Sequence, residues 1–289
     1  MVAGGLVLGE LYSDDERAGI LGYATAGGGV TAMASVWISG WILDVAGWRD
    51  VFWQFTVGGV LALLVGLALK RSAGQAPESA AAAPVRLSSL APAAPYVAGA
   101  ALLMFLAASS STQAPLSIKA AGVYSNGLMA NLFAAQSLFT MVGSLSYGRV
   151  QGAIGRLPLA LVGCLVLVAG CVFYAIGGSG PLYIAGASAL GLGTGAVLPL
   201  LTDGLFARTP SAALGYAFGL FTSVSFMGGF ASPFLMSPVR ESVGLPRFFP
   251  VLAVITALVC AAFLLTAVRQ SSQRRRAELT VAPALGAGE

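Results

Sequence analysis

Long apolar runs alternate with short polar punctuation along the whole chain. Uncharged stretches extend from Ala18 to Leu43, Val51 to Leu69, Leu87 to Ile118, Ala120 to Gly148, Leu157 to Thr202, Thr209 to Val239 and Phe248 to Val268. A helix needs about 20 such residues to cross a hydrocarbon core roughly 30 Å thick. The stretch from Leu157 to Thr202 is long enough for two helices, and Gly177-Gly178-Ser179-Gly180-Pro181 breaks it with a strong turn signal. Eight complete spans are therefore predicted. The runs are too long and too continuous for barrel strands, and a helix satisfies its own backbone hydrogen bonds in lipid. The expected fold is all-α, a polytopic membrane helix bundle.

The polar punctuation adds the organisation. Ser13 with Glu16 three residues on forms a capping box ahead of the first full span. Met1 to Gly9 is apolar but too short to cross, and it lacks the basic start and cleavage site of a secretory leader, so the chain is expected to begin partway through a helix. Between Lys70 and Pro95 lies the one linker-like segment, with Pro77, Glu78, an Ala run, Pro84 and Pro92. Two spans precede it and six follow. Of the basic residues, Arg17, Lys70, Arg71, Arg86, Arg149, Arg156, Arg208, Arg269 and Arg274 to Arg276 fall on one side of the predicted bundle. Arg49, Lys119, Arg240 and Arg247 fall on the other. The richer side is expected to be cytoplasmic, which puts both termini and the linker inside the cell.

Composition agrees: 57% of residues are hydrophobic and 9% charged, where a soluble domain carries roughly 45–50% and about 25%. The net charge of +4 is spread singly between apolar runs, so no nucleic-acid surface is indicated. The dense cluster from Arg269 to Arg276 reads as an anchor near anionic lipid. With no His, and Cys164, Cys171 and Cys260 all inside apolar runs, neither a metal site, a cofactor nor a disulfide framework is expected. The same shortage of nucleophile and base argues against a membrane enzyme.

Leu21-Gly22-Tyr23-Ala24 recurs as Leu214-Gly215-Tyr216-Ala217, with Glu10 matching Asp203 at the same offset. The helix after each copy opens on aromatics, Val51-Phe52-Trp53 in one and Phe248-Phe249 in the other. Parallel repeats about a linker are the plan of one large transporter class. Three stretches carry the likeness further: Glu16-Arg17-Ala18-Gly19 with Gly27-Gly28-Gly29 and Ser39-Gly40; Gly47-Trp48-Arg49-Asp50-Val51-Phe52; and Gly143-Ser144-Leu145-Ser146-Tyr147-Gly148-Arg149 with Gly155-Arg156. On these the chain resembles the major facilitator superfamily, and within it drug and metabolite efflux permeases, from the family's fourth helix onward. It departs in having Ser35-Val36 where the antiporters of the family carry Gly-Pro, and Tyr147 or Gly148 where the loop motif carries Asp. The resemblance implies a remnant of the N-terminal half at 1–69, a cytoplasmic linker at 70–94, a C-terminal six-helix half at 95–268 and a cytoplasmic tail at 269–289.

In such bundles solutes bind near the midplane, so inward polar side chains in mid-helix are the candidates. Ser109, Thr112 and Gln113 share one helix face; Gln136 and Thr140 share another; Thr222, Phe226 and Trp37 extend comparable stripes. Each also has a structural reading, as a helix-to-helix hydrogen bond or as aromatic packing. Glu10, Asp203 and Arg17, with Arg149 and Arg156, are expected at gates or helix ends. No ionisable group lies inside the spans from Leu87 onward, so any proton used as coupling ion needs an acid elsewhere. The function these features imply is alternating-access transport of a small organic solute, outward across the inner membrane. The alternative is a non-transporting remnant or membrane interaction protein, since a site between two repeats needs both walls. On that ground the 289-residue chain alone is expected not to catalyse transport.

Overall fold

The computed structural model describes residues 14–73, 87–210 and 213–285. Among these residues lie eight α-helices, α1 (Asp14–Val45), α2 (Trp53–Ala73), α3 (Ala94–Ala120), α4 (Asn126–Ile154), α5 (Arg156–Ile176), α6 (Gly180–Phe206), α7 (Leu214–Val243) and α8 (Leu245–Leu285). Short 3-10 turns at Asp50–Phe52 and Leu87–Ala93 lead into α2 and α3, and no strand occurs among the described residues. Among the described residues, seven helices are long and apolar enough to cross a membrane. The described apolar part of α1, Gly27–Leu43, is shorter. Glu10, the Ser13 cap and the linker around Pro77 and Glu78 lie outside the described residues, as do the side chains of Arg17 and of the first repeat copy.

Helix ends follow local chemistry. Ser125 caps α4 by accepting the Leu128 N–H at 3.0 Å, which satisfies one of the donors a helix start leaves open. The Gly-rich break between α5 and α6 forms as the sequence predicts. Gly177 and Gly178 there adopt φ of +55° and +80°, a region that costs a residue with a Cβ. Two segments are more helical than expected: α2 runs through Lys70 and Arg71 to Ala73, and α8 continues past Arg269 to Leu285. Both extensions are rich in Ala, Leu, Lys, Arg and Gln, which are good helix formers.

The centre of the bundle is α6, which packs against α4 and α5 and more lightly against α3. Outside this trio, α1 lies on α4, α7 on α3 and α8 on α5. Small residues allow the approach. A Cβ added to Gly143 of α4 would sit 2.6 Å from the Leu192 carbonyl oxygen of α6, and one on Gly191 or Gly195 of α6 would run into the Gln136 or Thr140 carbonyl of α4. With no hydrophobic drive between helices in lipid, such close backbone contact supplies the dispersion attraction that holds the bundle. By contrast α2 packs mainly against the turn before it, with Gln54 donating a hydrogen bond to Ser39 of α1, and no residue of its described span is buried.

Candidate functional site

Two polar clusters occupy opposite ends of the helix bundle. Because α4, α5 and α6 run antiparallel in turn, the end of α4, the start of α5 and the end of α6 meet at one end. There Asp203 of α6 is buried, forms an ion pair with the half-exposed Arg156 of α5, and accepts a hydrogen bond from the Tyr147 hydroxyl of α4 at 3.3 Å. Tyr147 is fully buried. An isolated carboxylate would be costly in so apolar a setting, and these two donors offset that cost. The arrangement ties three helices together through one carboxylate, a junction that opens if any partner withdraws. Arg149 lies nearby in sequence and is exposed.

The second cluster joins α3, α4 and α7. Gln113 of α3 is buried and accepts a hydrogen bond from the Arg240 guanidinium of α7 at 3.2 Å. Arg240 also sits 3.5 Å from the exposed carboxylate of Glu241. Half a turn back on α3, Ser111 donates to the Gln136 side-chain oxygen of α4 at 3.3 Å. The two amides thus point to different neighbours, Gln113 toward α7 and Gln136 toward α3. A buried amide without such a partner would be strongly disfavoured in hydrocarbon.

The remaining predicted residues divide. Ser109 is buried but returns its hydroxyl to the Phe105 carbonyl at 2.7 Å, while Thr112 is exposed and bonds the Ala108 carbonyl. The stripe of Ser109, Thr112 and Gln113 therefore does not act as one surface. Thr140 and Thr222 likewise bond the carbonyls one turn back, those of Gln136 and Phe218. Phe226 and Trp37 lie on the outside of the bundle, both more than half exposed.

Sequence reasoning did not single out Ser111 or Arg240, nor the pairing of Tyr147 with Asp203. Ser111 lies one or two positions from the stripe that drew attention, and Arg240 entered only as a charge to be counted. Their partners are 25 and 127 residues away in the chain. The cysteines also have unforeseen neighbours. The Cys171 sulfur lies 3.6 Å from the Thr256 hydroxyl, and the Cys260 sulfur 4.0 Å from the Cys164 carbonyl, which links α5 to α8.

A family model described as Major Facilitator Superfamily matches residues 1–233. No curated protein matches the chain.

Proposed function

The chain belongs to the major facilitator superfamily of secondary transporters, and from that premise we propose that it serves alternating-access efflux of a small, neutral or weakly charged organic solute. The observation that carries this reading is a pair of partnered amides, Gln113 buried and Gln136 half-buried. Gln113 and Gln136 are held by Arg240 and Ser111 at the junction of three helices, where a solute can exchange for a protein partner one hydrogen bond at a time. The junction of Asp203, Arg156 and Tyr147 at the opposite end is the proposed gate: it is stable when closed, and it parts when α5 and α4 move from α6. Arg149, Arg17 and Glu10 belong to the same proposed end of the molecule. Ser109, Thr112, Thr140, Thr222, Phe226 and Trp37 are secondary solute contacts in this proposal, reached on rearrangement of their helices.

The basic-residue asymmetry supports an inner-membrane protein with both termini in the cytoplasm. A proton is the proposed coupling ion, with its acid outside the spans from Leu87 onward, while Asp203, buried toward the end of α6, serves the gate. Uptake into inverted vesicles tests the proposal, with amphipathic dyes as the panel and the chain extended at its N-terminus by the first four helices of a family member. Saturable accumulation that Gln136→Ala weakens and Asp203→Asn abolishes is the expected result. Movement of no dye above the level of empty vesicles, across a broad panel, favours the interaction-protein reading instead.

A further inference from the structure

A cavity of about 290 Å³ lies between α3, α5, α6 and α8, and no residue of either polar cluster lines it. Its inner wall is buried leucine, including Leu103, Leu167 and Leu201, and its outer rim is made of exposed Ala98 and Ala262. The cavity therefore opens from the packed core onto the outside of the bundle. Along α3 it is lined from Pro95 to Leu106, roughly 16 Å at the helical rise. That is about the depth of one leaflet's hydrocarbon, half of a core roughly 30 Å thick.

What fills such a space follows from its walls. Water needs two to four polar partners. The lining has one hydroxyl, Thr266, and that already donates to the Phe263 carbonyl at 2.7 Å. A dry void of this size forfeits the dispersion contacts of its whole lining. In a bilayer the available apolar filler is an acyl chain, entering past the small side chains at the rim.

The chain also indicates which lipid. The membrane-crossing part of α8 ends at Thr266, on the rim of the cavity, and the helix then runs on through Arg269, Arg274, Arg275 and Arg276 with no acidic residue before Glu278. Arg269 follows Thr266 by three positions, so the two share a helix face. An acyl chain seated here brings its headgroup to the level at which α8 becomes basic. We propose that this cavity is a binding site for one anionic phospholipid, its acyl chain between α3 and α8 and its phosphate at the basic end of α8.

The test uses the whole chain in phosphatidylcholine liposomes doped with phosphatidylglycerol that carries a diazirine on one acyl chain, followed by irradiation and peptide mapping. Adducts are expected on the cavity-lining segments of α3 and α8. They should exceed those from diazirine-labelled phosphatidylcholine at the same dose by roughly tenfold, the preference that a few basic side chains at a membrane surface confer. The double variant Ala98→Trp with Ala262→Trp fills the rim without touching the core. It should remove these adducts while leaving those on the lipid-facing Leu161 and Leu165 of α5 unchanged, and that second set also reports that the bundle is intact. Equal labelling by the two lipids overturns the anionic assignment, and adducts that survive the filling variant overturn the site itself.

Discussion

Helices α2 and α8 are paired by the sequence repeat and differ sharply in the fold. Each follows a short loop, opens on aromatic residues and is apolar enough to cross a membrane. Yet Trp53 at the head of α2 is 68% exposed, while Phe249 near the head of α8 is 2% exposed and stacks on Tyr174 of α5 at 4.8 Å. The glycines repeat the contrast. Gly58, Gly59 and Gly66 of α2 have open space where a Cβ would stand, whereas Gly186, Gly191, Gly193 and Gly195 of α6 are all pressed against neighbours. Apolar composition therefore decides only that a helix enters the bilayer. Whether it is also packed depends on a partner surface, and in lipid that surface must offer close shape complementarity because lipid tails are as apolar as leucine.

The most forceful way to break this comparison is to truncate the aromatic at the head of each helix. Phe249→Ala removes the ring stacked on Tyr174 and leaves a cavity among Phe248, Tyr174 and α8, at an expected cost of about 3 kcal/mol. Trp53→Ala should move the same unfolding midpoint hardly at all. Reversible denaturation in mixed micelles reads both, and similar losses would mean that α2 has a packing partner after all.

Next in size is a steric test along the α4–α6 seam. Gly191→Leu drives a side chain into the Gln136 backbone, and roughly 2–3 kcal/mol of overpacking is expected. Gly58→Leu in α2 meets nothing and serves as its counterpart. If the Gly191 variant folds with unchanged stability, the seam is looser than its geometry states.

Smaller again is the carboxylate junction, where Asp203→Asn keeps the shape and removes the charge. The half-exposed Arg156 can turn to water, so a loss of about 1–2 kcal/mol is expected, below the figure for a fully buried pair. Tyr147→Phe should cost less, about 1 kcal/mol for one hydrogen bond. A double-mutant cycle over the two positions sharpens the result: a coupling of zero would show that the phenol and the carboxylate act independently. The smallest effect anticipated is from Gly66→Ala in α2. A helix former placed in open space should be neutral or slightly stabilising, by less than about 1 kcal/mol in the same titration.

Much of the architecture was legible because membrane helices announce themselves through local properties. The Gly177-Gly178 break, the position of each span from α3 to α8 and the loop before α2 all follow from run length and turn residues that act over a few positions. The polar sites were legible only as candidates. Gln113 and Gln136 stood out as amides in apolar helices, but nothing near them in the chain names Arg240 or Ser111 as partners. Thr112 and Ser109 shared a helix face in sequence, and packing buried one and exposed the other. The cavity between α3 and α8 had no sequence signal at all, since each of its lining residues reads singly as ordinary apolar helix.

The sequence by itself determined that this protein is an all-helical membrane bundle, where its helices begin and turn, and the family to which it belongs, because hydropathy and glycine turns are written in consecutive residues. Only the tertiary structure decided that α6 is central and α2 peripheral, that Asp203 gathers Arg156 and Tyr147, and that a leucine-walled space opens beside the basic end of α8. Those are properties of surfaces from helices far apart in the chain, and their energies arise at contact distances that no local pattern encodes.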